Sequence, residues 1–376
     1  MRKTFKYRLF PTAAQRAALE AQLDRCRWVY NHTLEVRREA WGERQESLSR
    51  YDTNRLLTEW RAANHWLAEG HAQAMQEAQK RVDLAFRAFF RRIKAGEKPG
   101  YPRFRGKERY DSFTFPQPKG NWRFLGDGRL RLSKIGEVRI KMHRPLEGEV
   151  KTLTLQRDRL GNWYACFSCI VEPRPLPVSG EMVGVDLGLS TFAVLSNGER
   201  IARQRWMDRD GHNIARLQRK KERYPKGSPE RRRVLRALNH SYQRAANRRG
   251  NFTHQESRKL VNRFGLIVFE NLDIRDMQSN GNRAINRGIA DVAWGRFVQY
   301  TRFKAEEAGR VCLLVDPRGT TQECSGCGNT VPKDLSVRVH DCPYCGLRLD
   351  RDLNASLNVL GRGLASLGNS PGSSPF

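Results

Sequence analysis

The sequence predicts a multidomain protein in which an α/β core follows a small antiparallel barrel and a helical lobe. Three observations carry this expectation. Short apolar runs at 182–185, 192–195 and 266–269 read as buried strands, with helical stretches between and after them. Residues 3–9 and about 112–173 break into short strands separated by turn signals, the pattern of a small barrel. Between those segments, residues 12–95 carry apolar side chains at three- and four-residue spacing.

Composition narrows the partners. Among 376 residues, 69 Lys and Arg face 40 Asp and Glu, a net charge of +29. That excess is more than solubility requires and points to a polyanion. The 39% hydrophobic content and eight Trp argue for folded domains and against a disordered basic chain. No apolar run approaches the length of a membrane span, and the N-terminus lacks a signal-peptide hydrophobic region. A cytoplasmic or nucleoid-associated protein with no membrane partner is expected.

In the lobe, Thr12 and Gln15 have the spacing of a capping box, and Leu19, Leu23, Cys26 and Tyr30 then share a face. A second helix is expected over 53–68. A third, over 71–95, would bury Met75, Ala78, Val82, Phe86, Phe89 and Ile93 and stop at Gly96. Its other faces carry Lys80, Arg87 and Arg91, and Arg103 and Arg105 continue the basic character. These residues read as a groove for a nucleic-acid backbone, with a solvated helix surface as the alternative.

In the barrel segment, Gly126-Asp127-Gly128 and Asp158–Asn162 are turns between expected strands. Cys166 and Cys169 form a C-x-x-C, but residues three apart in a strand face opposite ways, so they read as ordinary strand cysteines. The Pro-rich stretch 173–180 is a stiff linker and a domain boundary.

Beyond the linker, Asp186 stands in an otherwise apolar strand, and Asn197-Gly198 marks a hairpin. Burying a carboxylate costs several kcal/mol unless a cation or hydrogen bonds compensate it. Taken alone, Asp186 fits equally well as a strand-end residue capping the next turn. Glu270 closes another apolar run, at the strand end where open α/β sheets place ligands. Asp350 and Asp352 open a helix with Leu353, Leu357 and Leu360 on one face. Two strand carboxylates and one at a helix start can converge on a pair of divalent ions, which need hard oxygen ligands. Two residues apart at a helix start, only one of Asp350 and Asp352 can face such ions; Asp350 suits the N-cap.

Residues 203–263 hold 19 basic against 5 acidic residues, net +14, split into two helical arms by Pro225 and Pro229. Arg219, Lys220, Arg232, Arg248 and Arg249 are candidate phosphate contacts there, with a solvated helical hairpin as the alternative. Residues 275–288 lack periodicity and read as a mobile loop, 289–308 as a helix, and 310–315 as a strand. Cys324, Cys327, Cys342 and Cys345 form two C-x-x-C knuckles separated by fourteen residues, the pattern of one closed tetrahedral structural Zn²⁺ site. His340 is superfluous to that site and reads as a surface residue.

The motifs V-G-V-D-L-G at Asp186, I-V-F-E-N-L at Glu270 and D-R-D-L-N-A-S-L-N at Asp352 resemble those of the TnpB proteins of bacterial insertion sequences, relatives of compact type V CRISPR effectors. The resemblance extends from about residue 7 to 360. It implies an α/β RNase H-like (RuvC) nuclease core with a zinc-ribbon insertion, plus an N-terminal wedge β-barrel carrying an inserted helical lobe. The implied layout is a wedge domain at 1–11 and 97–173, a recognition lobe at 12–96, a linker at 174–180, a nuclease domain at 181–320 and 347–362, a zinc ribbon at 321–346 and a disordered tail at 363–376. The 275–288 loop corresponds to a lid over the active site. The implied activity is RNA-guided DNA cleavage by two Mg²⁺ ions held by Asp186, Glu270 and Asp352. A guide RNA encoded near the transposon end and target double-stranded DNA are the implied partners, and a monomer is expected. An RNA-guided repressor that cuts nothing and a strand-joining transposase are the rival readings.

Overall fold

The alternating segments of the N-terminal part become seven strands: β1 (Arg2–Phe10), β2 (Ser112–Phe115), β3 (Trp122–Phe124), β4 (Arg129–Leu132), β5 (Gly136–Lys141), β6 (Glu149–Arg157) and β7 (Trp163–Ile170). They form one antiparallel sheet in the order β2-β6-β7-β1-β5-β4-β3. Strands β7 and β3 stand four steps apart, about 19 Å in a flat sheet at ~4.8 Å per strand. Yet the rings of Trp122 and Phe167 lie 5.3 Å apart, and those of Phe124 and Phe167 5.2 Å. The sheet therefore curls into a near-closed barrel. Along β7, Trp163, Ala165, Phe167 and Cys169 are buried while Cys166 faces the other way, as residues three apart in a strand must. The computed structural model describes residues 1–274, 276–277, 283–334 and 336–368. It divides into two compact units, Met1–Glu172 and Pro173–Phe376.

The lobe in the first unit consists of α1 (Ala13–Arg44), α2 (Arg50–Ala63), α3 (His65–Ala68) and α4 (Ala72–Lys94). The capping box closes as its residue types require: Thr12 accepts the Gln15 N–H, and the Gln15 side chain accepts that of Thr12. The single helix expected over 53–68 is divided at Asn64, whose extended backbone ends α2 and whose side chain caps α3. The apolar stripe of α4 outruns the core. Its buried residues stop at Val82, and Ile93 is 49% exposed.

The second unit is organised by β8 (Met182–Leu187), β9 (Ala193–Leu195), β10 (Arg200–Ile201), β11 (Leu266–Glu270) and β12 (Val311–Val315), in the order β10-β9-β8-β11-β12. Strands β8, β11 and β12 run parallel, and the β8–β9–β10 hairpins antiparallel. Strand parity separates the two faces. Val183, Val185, Ile267 and Phe269 enter a core with Val261, Phe264 and Phe297. Leu266 and Val268 point the opposite way and pack with Val315 and Val359.

The helices of this unit are α5 (Trp206–Glu222), α6 (Pro229–Arg263), α7 (Arg283–Val292), α8 (Trp294–Ala308) and α9 (Arg351–Gly368). Ser228 caps α6 and Pro229 stands in its first turn, where a missing N–H costs nothing. Three expectations are corrected here. The helix expected over 289–308 is two helices, because Ala293 adopts a left-handed backbone (φ 60°). The loop expected over 275–288 is already helical from Arg283, since Ile289 and Val292 of α7 bury in the core under the sheet. In the rest of that loop Asp276 and Met277 are helical, and residues 275 and 278–282 lie outside the described residues. The tail expected to be disordered from 363 is helical to Gly368. Gly363 lies against Val268 and Leu367 packs on the same apolar patch; residues 369–376 lie outside the described residues. Among the described residues no helix is long and apolar enough to cross a membrane.

Candidate active site and zinc-ligand cluster

Strand register brings the first two carboxylates together. Phe269 pairs with Val185 across the parallel β11–β8 ladder, so the next residues along, Glu270 and Asp186, are neighbours on adjacent strands. Paired residues in a parallel ladder share a face, here the one bearing Gly184 and Val268. Helix α9 covers that face. A Cβ on Gly184 would collide with the Ser356 carbonyl and the Leu360 backbone, and one on Gly363 with the Val268 side chain. These two glycines let α9 lie directly on the strands, with Asp352 in its first turn.

Asp186 is 8% exposed and Glu270 7%. Burial, then the charges of Glu270 and Asp352, push the Asp186 carboxyl well above the usual carboxylate range. Burial also raises Glu270, while a hydrogen bond from Thr320 and the charge of Arg362 pull it back. Asp352 is held by the Arg351 guanidinium, at 3.0 and 3.1 Å to Oδ1. Arg338 stands 3.9 Å from its other oxygen. Asp350 faces elsewhere. Its Oδ1 accepts the backbone N–H groups of Asp352 and Leu353, and its Oδ2 pairs with Arg200 at 2.9 Å. Burial would raise its pKa, but Arg200 and the helix N–H groups outweigh that and hold it low.

The donor set fits divalent cations: three carboxylates supply hard oxygens, and the crowding that raises Asp186 is what a cation would relieve. Among the described residues, only the four cysteines bring three or more ligand atoms within 4.8 Å of one another.

Those cysteines lie on two matching loops. Gly328 N–H bonds back to the Cys324 carbonyl and Gly346 N–H to that of Cys342, with both glycines at φ 75°, a left-handed conformation that suits glycine. The Sγ atoms of Cys324 and Cys345, and of Cys327 and Cys342, are 3.6 Å apart, near the edge of a tetrahedron with ~2.3 Å zinc–sulfur bonds. Asn329, through its backbone N–H and then its side-chain amide, lowers the Cys327 thiol, while Cys345 is raised by its hydrogen bonds with the other thiols against the pull of the Leu347 backbone N–H. His340 corrects the sequence reading. It is buried in the β13 (Val339–Asp341) and β14 (Arg348–Asp350) hairpin, where Lys333 contacts its Nδ1.

The cluster is tied to the acidic site by α9 residues of which the sequence marks Asn354 and Asn358 only as members of the motif after Asp352. Asn354, fully buried, accepts the Ser325 N–H at 2.9 Å and donates to the Glu323 carbonyl at 2.7 Å. Asn358 donates to the carbonyls of Thr320 and Glu323. Arg362 holds the Asp316 and Arg318 carbonyls and the Glu323 carboxylate. Their spacing along α9 marks one face, which is the available signal; nothing in the sequence marks Thr320 or Arg200.

The candidate phosphate contacts fall into two groups. Arg91, Arg103, Arg105, Arg219, Lys220 and Arg232 are exposed. The others are engaged: Lys80 pairs with Glu77, Arg87 with Asp83 and Arg248 with Asp210, while Arg249 donates to the Ala290 carbonyl.

Three family models match the chain: OrfB_IS605, described as "Probable transposase", over residues 166–281; "Cas12f1-like, TNB domain" over 294–359; and the OrfB_IS605 "Helix-turn-helix domain" over 1–46. In this structure the last span holds one strand and one 32-residue helix. A Streptomyces pristinaespiralis protein named "Putative RNA-guided DNA endonuclease" is 33% identical, over 97% of this chain and 90% of that protein. InsQ of Escherichia coli K12, named likewise, is 27% identical over 97% and 93%. A solved complex of Cas12f1 with sgRNA and target DNA shares the fold, with a TM-score of 0.60, at 14% identity over 96% of this chain and 98% of that one. The chain thus has a Cas12f-like fold with a four-cysteine cluster. The chain belongs to the TnpB (OrfB_IS605) family.

Proposed function

We propose that this protein is an RNA-guided DNA endonuclease whose Asp186, Glu270 and Asp352 hold two Mg²⁺ ions. The observation that carries this reading is the register that sets Glu270 beside Asp186 on the face that α9 covers. Bound there, the ions would supply Lewis acidity to a phosphodiester and lower the pKa of water. Asp186, raised by burial and by both neighbouring carboxylates, would hold the ions together with Glu270 and Asp352. Asp350 has a supporting role, since its oxygens are committed to the helix N-terminus and Arg200. The four cysteines hold structural zinc, and through Ser325 and Asn354 that loop braces the start of α9.

Guidance by RNA is supported by the names of the relatives and by the charge of the arms. In this reading the barrel is the wedge domain, α1–α4 are the recognition lobe, and exposed arginines such as Arg103, Arg219 and Arg232 bind phosphates. Base pairing then reads the target, and the protein reads a short flanking motif. The test is to sequence the RNA that copurifies with the protein, then assay cleavage of a matched duplex in Mg²⁺ by the wild type and by Asp186→Ala. Cleavage that needs both the RNA and Asp186 is expected. RNA-dependent binding without cleavage would make the protein a repressor, and strand joining without RNA would make it a transposase.

A further inference from the structure

Resting on the reading of Glu270 as a metal ligand, we propose that Thr320 is a positioning residue. Its hydroxyl sets the orientation of the Glu270 carboxylate and couples β11 to the helix that carries Asp352. Thr320 is 2% exposed and follows β12, whose Val315 pairs with Glu270. Its Oγ1 donates to Glu270 Oε1 at 2.6 Å, a charge-assisted bond to the carboxylate required of a metal ligand. The Pro317 carbonyl, 3.1 Å from the same hydroxyl, is the weaker competitor for its single hydrogen.

A glutamate reaches its ligand position through three rotatable bonds, whereas the β-branched threonine has a stiff χ1. Fixing Oε1 therefore fixes the direction of Oε2. The backbone of Thr320 is held in turn: its carbonyl accepts the Asn358 side-chain N–H at 2.8 Å. Asn358 lies in the same helix as Asp352. A continuous path thus runs from Glu270 through Thr320 and Asn358 to Asp352, the two ligands that flank Asp186. Outer partners of metal ligands act in this way elsewhere, orienting the ligand at the cost of one buried hydrogen bond.

The experiment is an Mn²⁺ titration of the RNA-bound protein, followed by electron paramagnetic resonance. The wild type, Asp186→Ala, Thr320→Val, Thr320→Ala and Thr320→Ser are compared, with metal-free melting curves alongside. The wild type binds Mn²⁺ and Asp186→Ala loses that signal. Thr320→Val and Thr320→Ala weaken the affinity about 10- to 100-fold, and Thr320→Ser restores it because the hydroxyl returns. Wild-type affinity in both Val and Ala variants would overturn the proposal. So would a Ser variant as weak as Val, since a returned hydroxyl would then not orient Glu270. If the wild type shows no Asp186-dependent Mn²⁺ signal, the metal-site reading itself fails, a result separable from a failure of Thr320 alone.

Discussion

Asp350 and Asp352 differ by two positions and face different chemistry: Asp350 Oδ1 accepts the backbone N–H of Asp352 at 3.0 Å and so caps the helix that presents it. Asp352→Ala should abolish DNA cleavage and leave RNA and target binding intact. Asp350→Ala should cost about 0.5–2 kcal/mol of stability and retain cleavage. Single-turnover cleavage of a matched target, read beside a binding assay, separates the two. Activity surviving in Asp352→Ala but lost in Asp350→Ala would reverse their roles.

Asp186 links pH to stability. Its folded pKa is raised, so between the ordinary carboxylate pKa and that raised value the folded state binds more protons than the unfolded one. Metal-free stability therefore falls as pH climbs through this window. Asp186→Asn should stabilise the metal-free protein at neutral pH, because the amide has no ionised form to desolvate or to set against Glu270 and Asp352. Mg²⁺ should raise the wild-type melting temperature and leave that of Asp186→Asn unchanged. Denaturation curves with and without Mg²⁺ decide it; a destabilised Asp186→Asn would count against the site.

Gly184 sets the distance between α9 and the sheet. Gly184→Ala should destabilise the protein by about 1–3 kcal/mol, because the obstruction is the Ser356 carbonyl and cannot rotate away. The displaced helix carries Asp352, so cleavage should fall as well. Melting curves and cleavage rates measured on one preparation test this, and unaltered values would show that α9 can shift freely.

The four cysteines lie on the loops that Asn354 ties to α9. Cys342→Ser should lower the zinc content and the melting temperature before any chemical step is affected, since structural zinc contributes folding energy. Metal analysis paired with calorimetry is the check. A zinc-free variant as stable as the wild type would remove the structural assignment.

Salt reports on the basic arms. RNA affinity should fall steeply between low and physiological salt, because each neutralised phosphate releases counterions. Replacing Arg219, Lys220 and Arg232 with Ala should flatten the slope of log affinity against log salt by roughly 0.7–0.9 for each phosphate that is no longer neutralised. An unchanged slope would place the RNA elsewhere.

Much of the site was legible in the chain because its signals are local. The cysteine spacing, the capping box at Thr12 and the helix start at Asp350 each depend on residues within a few positions of one another. The apolar runs around Asp186 and Glu270 likewise announce buried strands, where a carboxylate demands compensation. Local signals failed where packing overrode them: Ala293 breaks a helix that its neighbours would continue, and His340 is buried although nothing in its flanks requires it.

By itself the sequence determined which carboxylates and thiols are candidates, because residue type and short spacing settle what a segment can bind. Only the tertiary structure decided that Glu270 stands beside Asp186, since register is a property of two strands about eighty residues apart. It also decided that Gly184 and Gly363 are contact points for α9, and that Thr320 meets Glu270 across fifty residues of chain. Such pairings follow from the close packing of a whole domain, where each backbone approach is fixed by every other, and no single segment encodes them.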